Sequence, residues 1–240
     1  MNKRIVVIPT YNEKENIESM IDHIMSLPIQ TDLLIVDDNS PDGTGNLVNK
    51  AIKQYPNRVK LLSRPKKEGL GRAYVAGFTQ CLKEQYEYIA EMDADFSHNP
   101  NDLTQLFKAL EEGADVAIGS RYKTGVNVVN WDIKRVIMSY YASRYVKCIT
   151  GLPIHDATAG FVAYKRQVLE SINLNQIKFK GYAFQIEMKF KAWKKGFHIQ
   201  EVPIIFTDRK KGASKMSMGI FKEAFLGVIE LKIKSWFNKL

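Results

Sequence analysis

The stretch "EMDADFSHNP" places Asp93 and Asp95 one residue apart, directly after the apolar run "YEYIAEM". In an extended backbone, residues i and i+2 point the same way. The two carboxylates then converge and repel, unless a positive charge lies between them or one is protonated. Magnesium and manganese take oxygen ligands, and Mg2+ is commonly held by one or two carboxylates plus substrate phosphates. Asp93 and Asp95 suit that part, and Ser97, again two residues on, adds a hydroxyl or a bound water. On this reading the missing positive charge is a divalent cation, Mg2+ or Mn2+, that arrives with a diphosphate. An isolated Asp-x-Asp is more often a solvated turn, so its surroundings decide.

Those surroundings alternate. "RIVVIP", "DLLIVD", "RVKLLS", "YEYIAEM" and "DVAIGS" read as buried strands. Between them the pattern predicts helices over residues 13–26, 43–55, 70–83 and 101–111. Short Val/Ile/Leu-rich strands alternating with helices indicate a mostly parallel sheet with helices on both faces. In such a sheet, ligands bind beyond the carboxyl ends of the strands. Four strands deliver polar residues to that edge: "PTYNE", "VDDNSPDGT", "MDADFSH" and "GSRY". Asp38 or Asp42 alone serves equally well as a helix cap. The second half is less regular. It predicts a helix over 133–149, strands at "AGFVAYK" and "HIQEVPIIF", a helix at "GYAFQIEMKFKAWKK", a basic loop at "TDRKKGASKMSMG" and a terminal amphipathic helix. No linker separates the halves, which predicts one catalytic domain over residues 1–218 followed by a helix over 219–240.

Composition narrows the classes. The chain has 240 residues, 45% apolar and 25% charged, as in a soluble globular protein. No apolar run reaches the ~18 residues of a membrane span, and "MNKRIVVIP" is too short in its apolar part for a signal peptide. Two cysteines without a CxxC exclude a disulfide scaffold and a structural zinc site, and suggest a reducing, cytoplasmic compartment. The net charge of +9 favours phosphate-bearing partners. Residues 209–240 carry eight Lys or Arg against two Glu. There is no Walker A pattern and no Gly-x-Ser-x-Gly, so neither a P-loop enzyme nor an esterase nucleophile has support. "GLGRAY" lacks the third glycine of a dinucleotide fingerprint. The four histidines are scattered and read as surface or packing residues. The acidic edge repels a nucleic-acid backbone, so no nucleic acid is expected as partner.

"PTYNE", "VDDNSPDGT", "GLGRAYVAGF", "MDADFSHNP", "GSRY", "WDIKR", "GYAFQIEM" and "DRKKGASK" occur in this order. Together they resemble the dolichol- or polyprenol-phosphate mannose synthases of glycosyltransferase family 2. The resemblance implies a Rossmann-like GT-A fold. It implies that Pro9, Tyr11, Glu13, Val36 and Asp38 hold the donor nucleoside, and that Asp93 and Asp95 bind the metal beside Ala94. It implies further that Arg209 and Lys215 close over the diphosphate, and that Arg121 and Arg135 grip the acceptor phosphate next to Ser97. Val162 stands where arginine is common in "HDATAGFVAY", so the resemblance assigns that segment no role.

The reaction implied is mannosyl transfer from GDP-mannose to a polyprenyl phosphate, with Asp95, Arg121 and Arg135 carrying the catalysis. A phosphate monoester with a second pKa of ~6 is already largely a dianion at neutral pH and needs no general base. In-line attack inverts the anomeric centre. The same motifs also suit another donor such as UDP-glucose, and a non-catalytic protein binding lipid phosphate is the reading of another class. The terminal helix is read either as a core helix or as an interfacial one. In the second case its apolar side (Ile220, Phe221, Phe225, Val228, Ile229, Ile233, Trp236) lies on an anionic membrane. That predicts a peripheral protein at the cytosolic face, compatible with a separate membrane-anchoring subunit.

Overall fold

The apolar runs of the first half form the strands expected of them. In the computed structural model, which describes residues 3–208 and 218–236, strands and helices alternate. They are β1 (Arg4–Thr10), α1 (Ile17–Met25), β2 (Asp32–Asp37), α2 (Thr44–Gln54), β3 (Val59–Ser63), α3 (Leu70–Lys83), β4 (Tyr88–Glu91), α4 (Leu103–Glu111) and β5 (Val116–Ser120). Side chains alternate across β1: Ile5 and Val7 join one apolar layer, Val6 and Ile8 the other. Helix α3 lies close on the sheet because residue 77 is glycine, where a Cβ would run into Val7. Helix α1 starts four residues later than the pattern predicts. Asn12 adopts a positive φ of 58° and turns the chain, and the N–H groups of Asn16 and Ile17 then both donate to Glu13 O in a turn before the helix.

The second half contributes β6 (Val128–Val129), α5 (Ile133–Thr150), β7 (Val162–Lys165), α6 (Arg166–Ser171), α7 (Tyr182–Lys194), β8 (Ile199–Pro203), β9 (Phe206–Thr207) and α8 (Met218–Trp236). The main sheet has the order β3-β2-β1-β4-β7-β5-β8, and β6 pairs with β9 in a small second sheet. Only β7 runs against the rest. It lies between β4 and β5, antiparallel to both, with Val162 opposite Glu91 and Ile118. A reversed strand brings its leading loop, not its trailing one, to the edge where the others end. Residues 151–161 therefore arrive beside the ends of β4 and β5.

Helix α8 packs on α7 and α5. Gly227 lets it approach Phe179, whose ring would lie 2.6 Å from a Cβ there. Val228 and Leu231 turn inward and are buried, which stabilises the contact by ~1.5–3 kcal/mol for each side chain. The apolar surface read as one broad side is thus divided. Phe225, Leu226, Ile233 and Trp236 remain exposed, Trp236 at 69%.

Candidate active site

At the ends of β1 and β2 the polar side chains are held by hydrogen bonds to one another and to backbone. Asp37 accepts from Thr10 Oγ1 (2.8 Å), Ser40 Oγ (2.6 Å) and Ser40 N–H (3.0 Å). Asp42 accepts from Thr44 N–H and Oγ1 (3.0 and 2.6 Å) and from Lys14 N–H (3.0 Å). Burial alone would raise the Asp42 carboxyl, but these donors outweigh it and hold it below its ordinary pKa. Asp38 pairs with Arg64 at 2.6 Å; here burial outweighs the guanidinium and the carboxyl is raised. Pro9 and Val36 are register partners on β1 and β2. Val36 is fully buried, so its side chain serves packing. Lys67 lies over the Tyr11 ring at 4.3 Å. Glu13 donates its N–H to Thr44 Oγ1 and accepts from Asn16 Nδ2. The residues assigned to the nucleoside are thereby gathered at adjoining strand ends.

Strand β4 stops at Glu91, so pleat alternation does not orient the two aspartates after it. They sit in a turn in which Phe96 has a φ of 59°. Asp95 is buried, as is Ala94, and Asp95 Oδ1 accepts Ser97 N–H at 3.1 Å. Asp93 faces a cavity of about 450 Å3, and Tyr74 OH donates to Asp93 Oδ1 at 3.5 Å. Burial pushes the Tyr74 phenol well up, so it stays a proton donor. Among the described residues no group of three or more His, Cys, Asp or Glu gathers to hold a metal. Two carboxylates, beside a buried Ser97 hydroxyl that has no hydrogen-bond partner, do not close a cage around an ion. They fit a hard divalent cation whose other ligands are substrate phosphates and water.

The same cavity is lined by Ser97, His98, Arg121, Trp131 and Arg135, and by an apolar wall of Leu70, Met138, Tyr141, Tyr145, Phe225 and Val228. Arg121 and Arg135 both lie over Trp131, with Cζ 5.5 and 4.1 Å from its ring centroid. Arg135 pairs with Asp208 at 2.9 Å. Arg121 makes a forked pair with Asp156: Nε to Oδ2 at 2.7 Å and Nη2 to Oδ1 at 2.6 Å, with Nη2 also donating to Thr158 Oγ1 at 2.8 Å. Asp156 has no exposed surface. Burial would raise it, but the Arg121 guanidinium holds it below its ordinary pKa. His98 stacks on Phe161 at 5.0 Å and meets Phe206 edge-on at 5.2 Å. Burial, opposed by Asp95, lowers its pKa to about 4, so it is neutral at pH 7. Arg209 and Lys215, expected over the diphosphate, lie outside the described residues.

Asp156 and Thr158 were not among the residues singled out in sequence. The signal was present as "HDAT" before "AGFVAYK", yet periodicity does not disclose strand direction, and only a reversed β7 brings that loop to the site.

The family model for glycosyl transferase family 2 matches residues 5–172. The chain belongs to that family. Its match runs from β1 to just past α6, so the ends of β1, β2, β4 and β5 lie within it, while β8, β9 and α8 lie beyond. This family-2 glycosyltransferase is 45% identical over 237 residues to a polyprenol monophosphomannose synthase of Mycolicibacterium smegmatis, covering 99% of this chain and 89% of the relative. It is 42% identical over 224 residues to an undecaprenyl-phosphate mannosyltransferase of Micrococcus luteus, covering 93% and 91%. Two solved structures share its fold. One is a Mycobacterium tuberculosis glucosyl-3-phosphoglycerate synthase in complex with Mn2+, UDP and product, with a TM-score of 0.67, 16% identity and coverage of 99% and 80%. The other is a Pyrobaculum calidifontis mannosyltransferase in complex with GDP-Man and Mn2+, with a TM-score of 0.61, 18% identity and coverage of 100% and 72%. The α/β fold of GT-A type expected from the sequence is the fold found.

Proposed function

We propose that this glycosyltransferase moves mannose from GDP-mannose to a polyprenyl phosphate, with inversion, in the presence of Mg2+ or Mn2+. One observation carries the reading: a single cavity joins the Asp93 carboxylate, the Arg121–Trp131–Arg135 cluster and an apolar wall from α5 and α8. Those three parts match a nucleoside diphosphate with its cation, a phosphate nucleophile and a hydrocarbon chain. The two mannosyl-transferring relatives support the mannosyl group and the polyprenyl phosphate acceptor, and the mannosyltransferase solved with GDP-Man supports the donor.

Each residue then has a task. Asp93 and Asp95 hold the cation, with Ser97 near it, and Pro9, Tyr11, Glu13 and Asp38 hold the nucleoside, to which buried Val36 offers its backbone alone. The bound cation neutralises charge that develops on the leaving diphosphate. Arg121 and Arg135 hold the acceptor phosphate against a donor of like charge, which is a matter of positioning. Arg209 and Lys215 close over the diphosphate. No side chain has to remove a proton, because the acceptor is already ionised, and neutral His98 is too weak a base to do so at pH 7.

The described residues hold no helix long and apolar enough to cross a membrane. The polyprenyl chain nevertheless stays in a bilayer, so the site has to be brought to it. Helices α5 and α8 are joined by stacked Tyr145 and Phe225 rings at 4.8 Å and expose Ile133, Ile137, Tyr141, Phe225, Leu226 and Trp236. With the basic residues 209–240 this surface suits peripheral contact with an anionic cytosolic leaflet. Residues 1–218 are then the catalytic domain and 219–240 a segment that meets lipid together with the exposed side of α5, while its Phe225 and Val228 also wall the cavity.

The test is transfer of radiolabelled mannose to a short polyprenyl phosphate. EDTA abolishes it, Mg2+ or Mn2+ restores it, and Asp95→Ala lowers the rate on the order of 10³-fold. Transfer from UDP-glucose but not GDP-mannose would overturn the donor assignment, and full activity in EDTA would overturn the metal.

A further inference from the structure

We infer that Lys189 and Glu201 are positioning residues for the phosphate end of the site: they suspend the loop 155–159 so that Asp156 and Thr158 hold Arg121. This rests on Arg121 contacting the acceptor phosphate, as proposed above.

Residues 152–161 form neither helix nor strand. Buried peptide groups in such a loop have no ladder to satisfy them and need partners from elsewhere. The N–H groups at the front of the loop find an anion. Glu201, on β8, accepts His155 N–H (3.0 Å), Asp156 N–H (3.0 Å), His155 Nδ1 (2.7 Å) and, on its own flank, Ser120 Oγ (2.8 Å). The carbonyls at the back of the loop find a cation. Lys189, on α7, donates to Ala157 O (3.2 Å) and Ala159 O (2.5 Å), and within its own helix to Gln185 O and Oε1 (3.3 and 3.4 Å). Asp156 and Thr158 lie between these two anchors, and both bond Arg121. The guanidinium that lines the cavity is therefore placed by a carboxylate and an ammonium from two other elements.

Lys189 has no exposed surface. Burial lowers its ammonium to about 8; Glu91, Asp156 and Glu201 face it and raise it, while Arg121 lowers it. A buried ion pair replaced whole by apolar side chains is often tolerated, whereas removing one charge leaves its partners uncompensated. Here the ammonium supplies what no apolar side chain has, two hydrogen bonds that fix carbonyls on either side of Thr158. A displacement of ~1 Å in a group that positions substrate is enough to cost about 100-fold in rate.

The experiment compares full-length Lys189→Met and Glu201→Gln with Lys195→Met, an exposed site just after the same helix. Expected is a rise of about 10- to 100-fold in KM for a short-chain polyprenyl phosphate, with the Kd for GDP and Mn2+ unchanged and Lys195→Met like wild type. A second readout does not depend on turnover. The Arg121 Nε–H, bonded to Asp156, gives a slowly exchanging signal in 1H–15N spectra of wild type, and its exchange accelerates in both test variants. Should Lys189→Met not fold, Glu201→Gln and the half-exposed His155→Ala carry the comparison. Equal losses of donor and acceptor affinity, or an unchanged acceptor KM with Arg121 Nε–H still protected, would overturn the inference. If wild type transfers no mannose, the substrate reading has failed, and the exchange measurement still decides whether the loop holds Arg121.

Discussion

On the nucleotide side, Thr10, Asp37, Ser40, Asp42 and Thr44 hold one another across two adjoining strand ends. On the phosphate side, Arg121, Asp156, Lys189 and Glu201 come from just past the end of β5, the loop before β7, α7 and β8. The first set bonds mostly to backbone N–H groups at turns, a task that each βα unit repeats. The second set is a charged interior, in which Asp156 and Lys189 have no exposed surface and Arg121 and Glu201 little. The difference follows from β7. A parallel βα unit ends in a helix N-terminus that organises its own loop. A reversed strand is entered from a loop with no such terminus, so ionised side chains from elsewhere complete it.

The comparison breaks first at Asp156. Asp156→Ala strands the buried Arg121 guanidinium, and urea unfolding should show a loss of about 3–5 kcal/mol. A loss under 1 kcal/mol would mean that the phosphate side tolerates solvent as the nucleotide side does. His98 sharpens the contrast through pH. Its folded pKa of about 4 lies below the ordinary 6.5, so the unfolded chain takes up a proton that the folded one refuses. Stability is then present above pH 6.5 and lost as pH falls toward 4, by about 2–3 kcal/mol. Thermal melts of His98→Phe across that window should be flatter than wild type; an equal slope would show that other groups set it. The smallest effect belongs to the nucleotide side: Asp42→Ala removes a turn cap and should cost about 1 kcal/mol, with acceptor KM unmoved.

Legibility in the sequence follows the same division. The five early strands could be read from Val/Ile/Leu runs, because both faces of the sheet are covered and the runs are almost uninterrupted. Asp93, Asp38 and Arg121 could be placed at one edge, because every parallel strand ends there. Asp156 and Lys189 could not. "AGFVAYK" reads the same in either direction, and Lys189 lies in "GYAFQIEMKFKAWKK", where a lysine among apolar residues looks like an ordinary exposed position. The β6–β9 pair is two residues long in each strand, too short for any periodic signal. The termination of β4 before the aspartates was also hidden, since Met92 continues the apolar run and yet adds no strand pairing in the sheet.

The place of β7 in the sheet order also bears on how the chain is made. Strands β1 to β4 can pair among themselves as soon as residue 91 is synthesised, since their order is β3-β2-β1-β4. Strand β5 has partners only in β7 and β8, both later in the chain. At ~5–20 residues per second of translation, the run "VAIGS", buried at every position in the finished protein, waits seconds on the ribosome with both edges unpaired. Unpaired apolar edges are where nascent chains aggregate. The reversed strand that completes the phosphate side is therefore also the step at which synthesis is most exposed to failure, and β5, while residues 121–162 are being made, is what a chaperone would have most to protect.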